Sequence, residues 1–336
     1  MQLRIGVDLL GGNCSPEILF EAVEKTIKSH PSAILVVFVT EAARLSILER
    51  YPCFNLSNHP RLEFQVVNEV IEMHDDPLTA HRQKKNSSML IGLKLLKKQL
   101  LDAFVSCGNT GALIAGATLF LPRLPGVKRP SLLASLPTKK KDVAIIDVGG
   151  HVHGKADYLV QCAKLGVAYV QCCQTETNPR VGLLNIGIES KKGTSEIRQA
   201  YQKLEALHDE KKLCFIGNIE SNSIFHGDVD VLVADGFTGN IFLKAIEGIS
   251  FFLMQKIQKN LQKILPDTSK EIYQQLGQLC DYDEYSGAIV CGVQRVLIKC
   301  HGHASPMALF YGIKRALDLL QNSCVAKLTQ RFNSQE

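Results

Sequence analysis

The 336-residue chain is 46% hydrophobic and 21% charged, ordinary composition for a folded protein with one large core or two lobes. A net charge of +5 and a pI near 8.6 suit anionic small-molecule partners, while the absence of Trp and of basic residues interleaved with aromatics argues against nucleic acid. The opening MQLRIGVDLL lacks the charged and long apolar segments of a signal peptide, Ala112 to Leu121 is too short for a bilayer, and the eleven cysteines include no CxxC pair, so the expected setting is cytoplasmic with reduced thiols.

In chain order, β-rich apolar runs recur: LRIGVD, AILVVFV, LEFQVV, AFVS, VAIIDV, RVGLLNI, LCFIGN, DVLVAD and VLIKC. Helical patterns lie between them, among others Pro16 to Ser29, Ser87 to Lys98, Asp157 to Gln174, Ser195 to Leu207 and Asn240 to Ile264. Several strands are continuous hydrophobic runs, as expected of strands covered on both faces. The alternation predicts an α/β fold with a mostly parallel sheet, one unit over residues 1–336 with a helical subregion around 240–282. Cys172 and Cys173 read as helix-face residues rather than a bridge.

The turns at the strand ends carry the functional signal. Asp8 leads into Gly11 and Gly12; Cys107 into Asn109, Thr110 and Gly111; Asp147 into Gly149 and His151; Asn185 into Gly187 and the Lys191-Lys192 pair; Asn218 into Glu220; Asp235 into Thr238, Gly239 and Asn240. In a parallel sheet the C-terminal strand ends line a crevice where ligands bind, and glycine lets the backbone approach them. These turns, with His301 after the last strand, predict a site for a phosphorylated or anionic ligand.

No GxxxxGK[ST], GxGxxG or GxSxG occurs at these turns, so a P-loop, a dinucleotide site and a hydrolase elbow are not expected. Cys107 reads as a small buried residue rather than a nucleophile. The HxH pairs His151/His153 and His301/His303 lack a completing ligand set, so neither a metal nor a cofactor is called for. A rim rich in Lys, Asn, Thr and backbone N–H suits a nucleophile that arrives activated, such as inorganic phosphate attacking a thioester. The protein then aligns the two and stabilises the oxyanion.

The same stretches resemble the phosphate acyltransferase family (PlsX type) of bacterial phospholipid synthesis. VDLLGGNCSP is similar to its opening D-A-M-G-G-D-x-A-P. VIEMHDDPLTAHRQKKNSSMLIGLKLLKK, DAFVSCGNTGALIAG, NPRVGLLNIGIESKKG, FIGNIE, DGFTGNIFLKAIEG, DYDEYSGA and LIKCHG continue the match in order. The resemblance implies transfer of a fatty acyl group from acyl-carrier protein to inorganic phosphate, giving acyl phosphate. It also implies a three-layer α/β/α sandwich related to phosphotransacetylases and isopropylmalate dehydrogenases, and a homodimer. The family's K-G lysine and G-F-T-G-N asparagine fall on Lys192 and Asn240. The implied roles are neutralisation of phosphate or the oxyanion by Lys192 and a hydrogen bond to the acyl oxygen from Asn240. As a plain structural residue, Lys192 would be a solvated charge and Asn240 a helix N-cap.

The chain departs from the family at Asn13, where the family has Asp, at His151 and His153, where it has Asn and Asp, at Thr194, and at His303. One other function is a related enzyme, a short-chain phosphotransacetylase using coenzyme A; the departures at Asn13, His151 and His153 motivate a second, an acyl-ligand-binding protein of the same fold without turnover. SFFLMQKIQKNLQKILP places Leu253, Ile257, Leu261, Ile264 and Leu265 on one helical face with Lys256, Lys259 and Lys263 turned away. Such a face suits peripheral contact with the inner side of a membrane, where a downstream glycerol-3-phosphate acyltransferase would take the product. Packing in a core or dimer is the other expectation.

Overall fold

A computed structural model describes residues 2–54, 59–174, 176–264 and 287–333. Residues 265–282 of the expected helical subregion, including Leu265, and most of DYDEYSGA lie outside the described residues.

Among the described residues, eleven strands form one sheet: β1 (Leu3–Asp8), β2 (Ala33–Val39), β3 (Leu62–Val66), β4 (Ala103–Ser106), β5 (Ser131–Leu136), β6 (Val143–Ile146), β7 (Arg180–Leu184), β8 (Cys214–Ile219), β9 (Val231–Val233), β10 (Ala288–Cys291) and β11 (Val296–Lys299). The helices are α1 (Pro16–Ser29), α2 (Glu41–Arg50), α3 (Ala80–Gln83), α4 (Ser88–Lys97), α5 (Thr110–Phe120), α6 (Ala156–Cys173), α7 (Ser195–Asp209), α8 (Gly236–Ile264), α9 (Pro306–Gln321) and α10 (Cys324–Asn333). Cys172 and Cys173 lie in the last turn of α6.

The three-layer reading holds, and strand periodicity explains it. Successive β2 side chains point to opposite faces. Leu35, Val37 and Val39 therefore enter one core with α1, α6, α7 and α9, while Val36 and Phe38 enter the other with α4, α5 and the first turns of α8. Two apolar faces require an unbroken apolar strand. Helix α1 begins where the sequence places it, with Pro16 in the first turn and Leu19, Phe20, Val23 and Ile27 turned inward.

Two strands escape the apolar-run pattern. β5 carries Ser131 and Ser135 among its leucines, and β10 has only four residues. Both are central. The sheet order is β3-β2-β1-β4-β11-β10-β5-β6-β9-β7-β8, and β10 runs antiparallel to β11 and β5, as β5 does to β6. The two parallel halves, β3 to β11 and β6 to β8, therefore point in opposite directions. One crevice along a single edge is replaced by two rims, one at each end of the strands. The central strands are short enough to keep the rims close: Ile298, Ile289, Leu133 and Ile146 form a single row across β11, β10, β5 and β6.

The second half is pinned at its far end by Asp230, which is 2% exposed. Its carboxylate accepts from the Arg180 backbone N–H at 2.8 Å and from Arg180 Nε at 3.0 Å, and pairs with Lys141 at 2.9 Å. Without Asp230 the Arg180 N–H loses its acceptor, whereas the partly exposed Lys141 keeps Glu176 at 2.7 Å. Asp230→Ala is expected to lower unfolding free energy by about 1–2 kcal/mol, read by urea denaturation at pH 7.

Candidate active site

The second-half rim is built around Asp147, which follows β6 and is fully buried. Its Oδ1 accepts from the N–H groups of Leu132 (3.3 Å), Gly149 (3.2 Å) and Gly150 (2.6 Å). Its Oδ2 accepts from the His151 N–H at 2.9 Å and the Tyr158 hydroxyl at 2.8 Å. Asp147 thus shapes a loop rather than offering a free carboxylate to a ligand. His151 is turned inward, its Nδ1 2.9 Å from the Tyr158 hydroxyl, whereas His153 is exposed. Burial pushes the Tyr158 hydroxyl far above its ordinary range, so it stays a protonated donor.

The start of α8 lies on this loop. Gly236 N–H donates to the His151 carbonyl at 3.0 Å, and a Cβ at Gly239 would collide with the Asp147 carbonyl. Only glycine permits this approach. Asp235 caps the helix: Oδ1 accepts from the Phe237 and Thr238 N–H groups at 3.1 and 3.0 Å, and Oδ2 from the Thr238 hydroxyl at 2.7 Å. The N-cap role considered for Asn240 therefore belongs to Asp235. Asn240 sits one turn in, half-buried, with its side chain 3.5 Å from where a Cβ on Gly149 would lie.

β7 and β9 are parallel neighbours with Leu183 opposite Val233, so Asn185 and Asp235 leave the sheet side by side. Asn185 is 8% exposed; its Oδ1 accepts from the Ile186 N–H at 2.8 Å and its Nδ2 donates to the Lys192 carbonyl at 3.2 Å. Lys192 N–H donates to the Glu189 carbonyl at 3.1 Å, and Asn218 Nδ2 donates to the same carbonyl at 2.9 Å. The turn is fastened by its backbone while the Lys192 side chain is exposed, with no carboxylate in ion-pair range among the described residues. Gly187 packs beside the Lys192 stem, and Gly193 has a φ of +85°. Glu196 accepts from the Ala156 N–H at 2.8 Å, tying this loop to the Asp147 loop. The Glu220 carbonyl closes a turn with the Ser223 N–H at 3.1 Å.

The first-half rim gathers Asp8, Cys107, Asn109 and His301. Gly11 and Gly12 pack against the Ile71 and Gly302 carbonyls, and Gly111 against Pro77. Asn109 caps α5, just before Thr110, through the Ala112 N–H at 3.0 Å, and its Nδ2 donates to the carbonyls of Glu72, Met73 and Asp75. The Cys107 thiol is buried, and its contact with Cys300 together with burial holds it well above the usual thiol range, as suits a small core residue. Asn13 and His303, both departures from the family pattern, meet in space with Asn13 Nδ2 2.6 Å from His303 Nε2.

Helix α8 joins the rims. Lys244 Nζ lies 3.3 Å from His301 Nδ1, and Glu247 Oε1 lies 2.7 Å from His301 Nε2. Neither α8 residue was among the expected site groups, yet both were readable: Lys244 follows Asn240 by four residues and precedes Glu247 by three. Lys299, Ser106 and Asp8 were also missed as a unit. They pair across β11, β4 and β1, and are buried.

The comparisons with known proteins bear on this geometry. The sequence profile described as fatty acid synthesis protein matches residues 3–327. The chain belongs to this family. A Chlamydia pneumoniae relative named phosphate acyltransferase is 39% identical over 340 residues, covering 99% of both chains. The fold is shared with a phosphotransacetylase from Streptococcus pyogenes, at 15% identity and TM-score 0.57 over 95% of this chain and 94% of that one. It is shared too with 4-hydroxythreonine-4-phosphate dehydrogenase from Klebsiella pneumoniae, at 13% identity and TM-score 0.52 over 94% of this chain and 99% of that one. Within the family fold, the first-half rim holds a carboxyl, Asp8, whose ionisation is displaced by burial.

Burial pushes the Asp8 carboxyl up from 3.8 to about 6, against the hydrogen bonds from Ser106 at 2.9 Å and Leu10 at 3.2 Å. Between those values the folded chain holds a proton that the unfolded chain has lost, so stability falls as pH rises. The fall from this group is about 3 kcal/mol between roughly pH 4 and pH 6. Asp8→Asn cannot ionise. Its stability relative to the natural chain is expected to rise by about that amount between pH 4 and pH 7 in urea titrations.

Proposed function

We propose that this chain transfers a fatty acyl group from the thioester of acyl-carrier protein to inorganic phosphate, producing acyl phosphate for phospholipid synthesis. Membership of the family, through a match that takes in both rims and α8, carries the reading. Acyl transfer to phosphate is the reaction class. A phosphate oxygen attacks the thioester carbon, the carbonyl oxygen becomes an oxyanion, and the C–S bond breaks to release the carrier thiolate, which takes up a proton. The nucleophile is already anionic at neutral pH and the thiolate leaves readily. The protein's share is therefore alignment and charge stabilisation.

Lys192 supplies a mobile cation from a turn whose backbone is held by Asn185 and Asn218. Asn240 supplies an amide at the Asp147 loop, on a helix whose first turn cannot shift because Gly236 and Gly239 touch that loop. Release of free thiol from acyl-carrier protein in the presence of phosphate tests the reaction. Release only from short acyl-coenzyme A would point to a phosphotransacetylase, and tight binding without release to a non-catalytic protein. Lys192→Met is expected to lower turnover by about a hundredfold or more with folding intact, because an exposed turn lysine carries little stability.

The product is amphiphilic and its consumer is a membrane acyltransferase, so we also propose a cytoplasmic homodimer that touches the membrane peripherally. Beyond Leu243, α8 leaves the core. Leu253, Ile257 and Ile264 on the apolar face are 49%, 36% and 73% exposed, which supports a face turned away from this chain's own core. An 18-residue window of α8 is long and apolar enough to cross a bilayer, and only 11% of it is buried. Its first turns, however, are fixed on the sheet rim, and Lys256, Lys259 and Lys263 are exposed along it, which favours lying at a lipid surface over spanning it. Lys256 reaches back over the Phe252 ring at 5.5 Å rather than turning fully away. Changing Leu253, Ile257 and Leu261 together to Ser is expected to abolish co-sedimentation with anionic liposomes while soluble transfer activity persists. Unfolding of that variant, or loss of a dimer in its place, would assign the face to protein packing.

A further inference from the structure

The His301 contacts show how a cation on α8 is kept available. Glu247 offers two carboxylate oxygens. His301 Nε2 takes one at 2.7 Å, while Lys244 stands 3.5 Å from the other. In the tautomer that donates Nε2–H to Glu247, His301 Nδ1 presents its lone pair to the Lys244 ammonium, 3.3 Å away. The shorter contact commits one Glu247 oxygen to the imidazole, so Lys244 stands off at 3.5 Å from the other rather than in a tight ion pair. An ammonium has three donors, and this arrangement leaves one of them open. The Lys244 side chain is 54% exposed, so the open donor is accessible.

Lys244 also stands in the right place. Four residues in a helix advance about 6 Å and return to the same face, so Lys244 follows Asn240 on the side of α8 that meets Gly149. Asn240 belongs to the second-half rim and His301 to the first. Lys244, one turn on from Asn240, reaches His301 at 3.3 Å and so passes from one rim to the other.

We propose that Lys244 binds a phosphate oxyanion in the cleft between the two rims, with His301 and Glu247 as the positioning pair that aims it. The inference rests on the acyl-transfer reading above. It divides the anion's contacts between a lysine on the β7 turn and a lysine on α8, the second aimed by His301 from the other half of the sheet. The oxyanion is either the inorganic phosphate substrate or the phosphodiester of the carrier's phosphopantetheine arm; the two are separable by which Michaelis constant responds.

The test is steady-state kinetics of acyl transfer with phosphate and acyl-carrier protein varied in turn. In Lys244→Met the KM for phosphate is expected to rise by about ten- to a hundredfold, with kcat changed far less, as for loss of one charge-assisted contact. A rise confined to the KM for acyl-carrier protein would support the oxyanion site and assign it to the arm. His301→Asn can accept from Lys244 and donate to Glu247, so it should retain most of the affinity that His301→Leu loses, a difference that a merely structural histidine would not produce. Unaltered Michaelis constants in a folded Lys244→Met protein would overturn the proposal. Absence of any thiol release by the natural chain would instead sink the acyl-transfer reading itself.

Discussion

The Asp147 carboxylate is the constraint on which the site depends. A charge removed from water must be met by donors, and Asp147 meets five: four backbone N–H groups and the Tyr158 hydroxyl. Satisfying it curls residues 147–151 into a fixed loop and draws the end of β6 against the start of β5. Helix α8 can then begin on that loop, because Gly236 and Gly239 let its backbone come into contact there. The positions of Asn240, Lys244 and Glu247 are consequences of that seating, since a rigid helix carries its later turns wherever its first turn points.

The reversal of strand direction gives this seating its functional meaning. A uniformly parallel sheet would have placed every glycine turn on one edge. Here β10 and β5 turn the second half about, and α8 runs from one rim to the other. The first half contributes a buried polar row, Asp8, Ser106 and Lys299, where burial drives the carboxyl up and the ammonium down from their ordinary values. The second half contributes exposed Lys192 and half-buried Asn240. Buried groups set the backbone, and accessible groups are left to meet the substrate.

The distribution of the expected site residues fits this division. Asp8, Asn109, Asp147, Asn185 and Asp235 all turn out to hold loops or helix starts, and their side-chain acceptors are spent on backbone N–H groups and neighbouring hydroxyls. The glycines make room for these loops to pack. Two departures from the family pattern, Asn13 and His303, are in contact, so a carboxylate is absent at the very place where a histidine has arrived. A third, His151, lies against Tyr158 inside the loop.

Most of the layer architecture was legible in the sequence because it rests on local rules. Continuous apolar strands, Pro16 at a helix start and glycine turns after strands each depend on a few neighbouring residues, and the order of motifs identified the family. What the sequence could not contain was the direction of the halves. That is decided by β5 and β10, whose short or serine-bearing runs look unremarkable and whose pairing with each other joins residues more than 150 positions apart, as with Ile289 and Leu133. Nor could it show that His301 takes Glu247 while leaving Lys244 open, since the imidazole comes from β11 and the helix from the far half. Local propensity fixes elements through contacts a few residues apart, whereas a site assembled across a reversed sheet depends on long-range packing that only the folded chain creates.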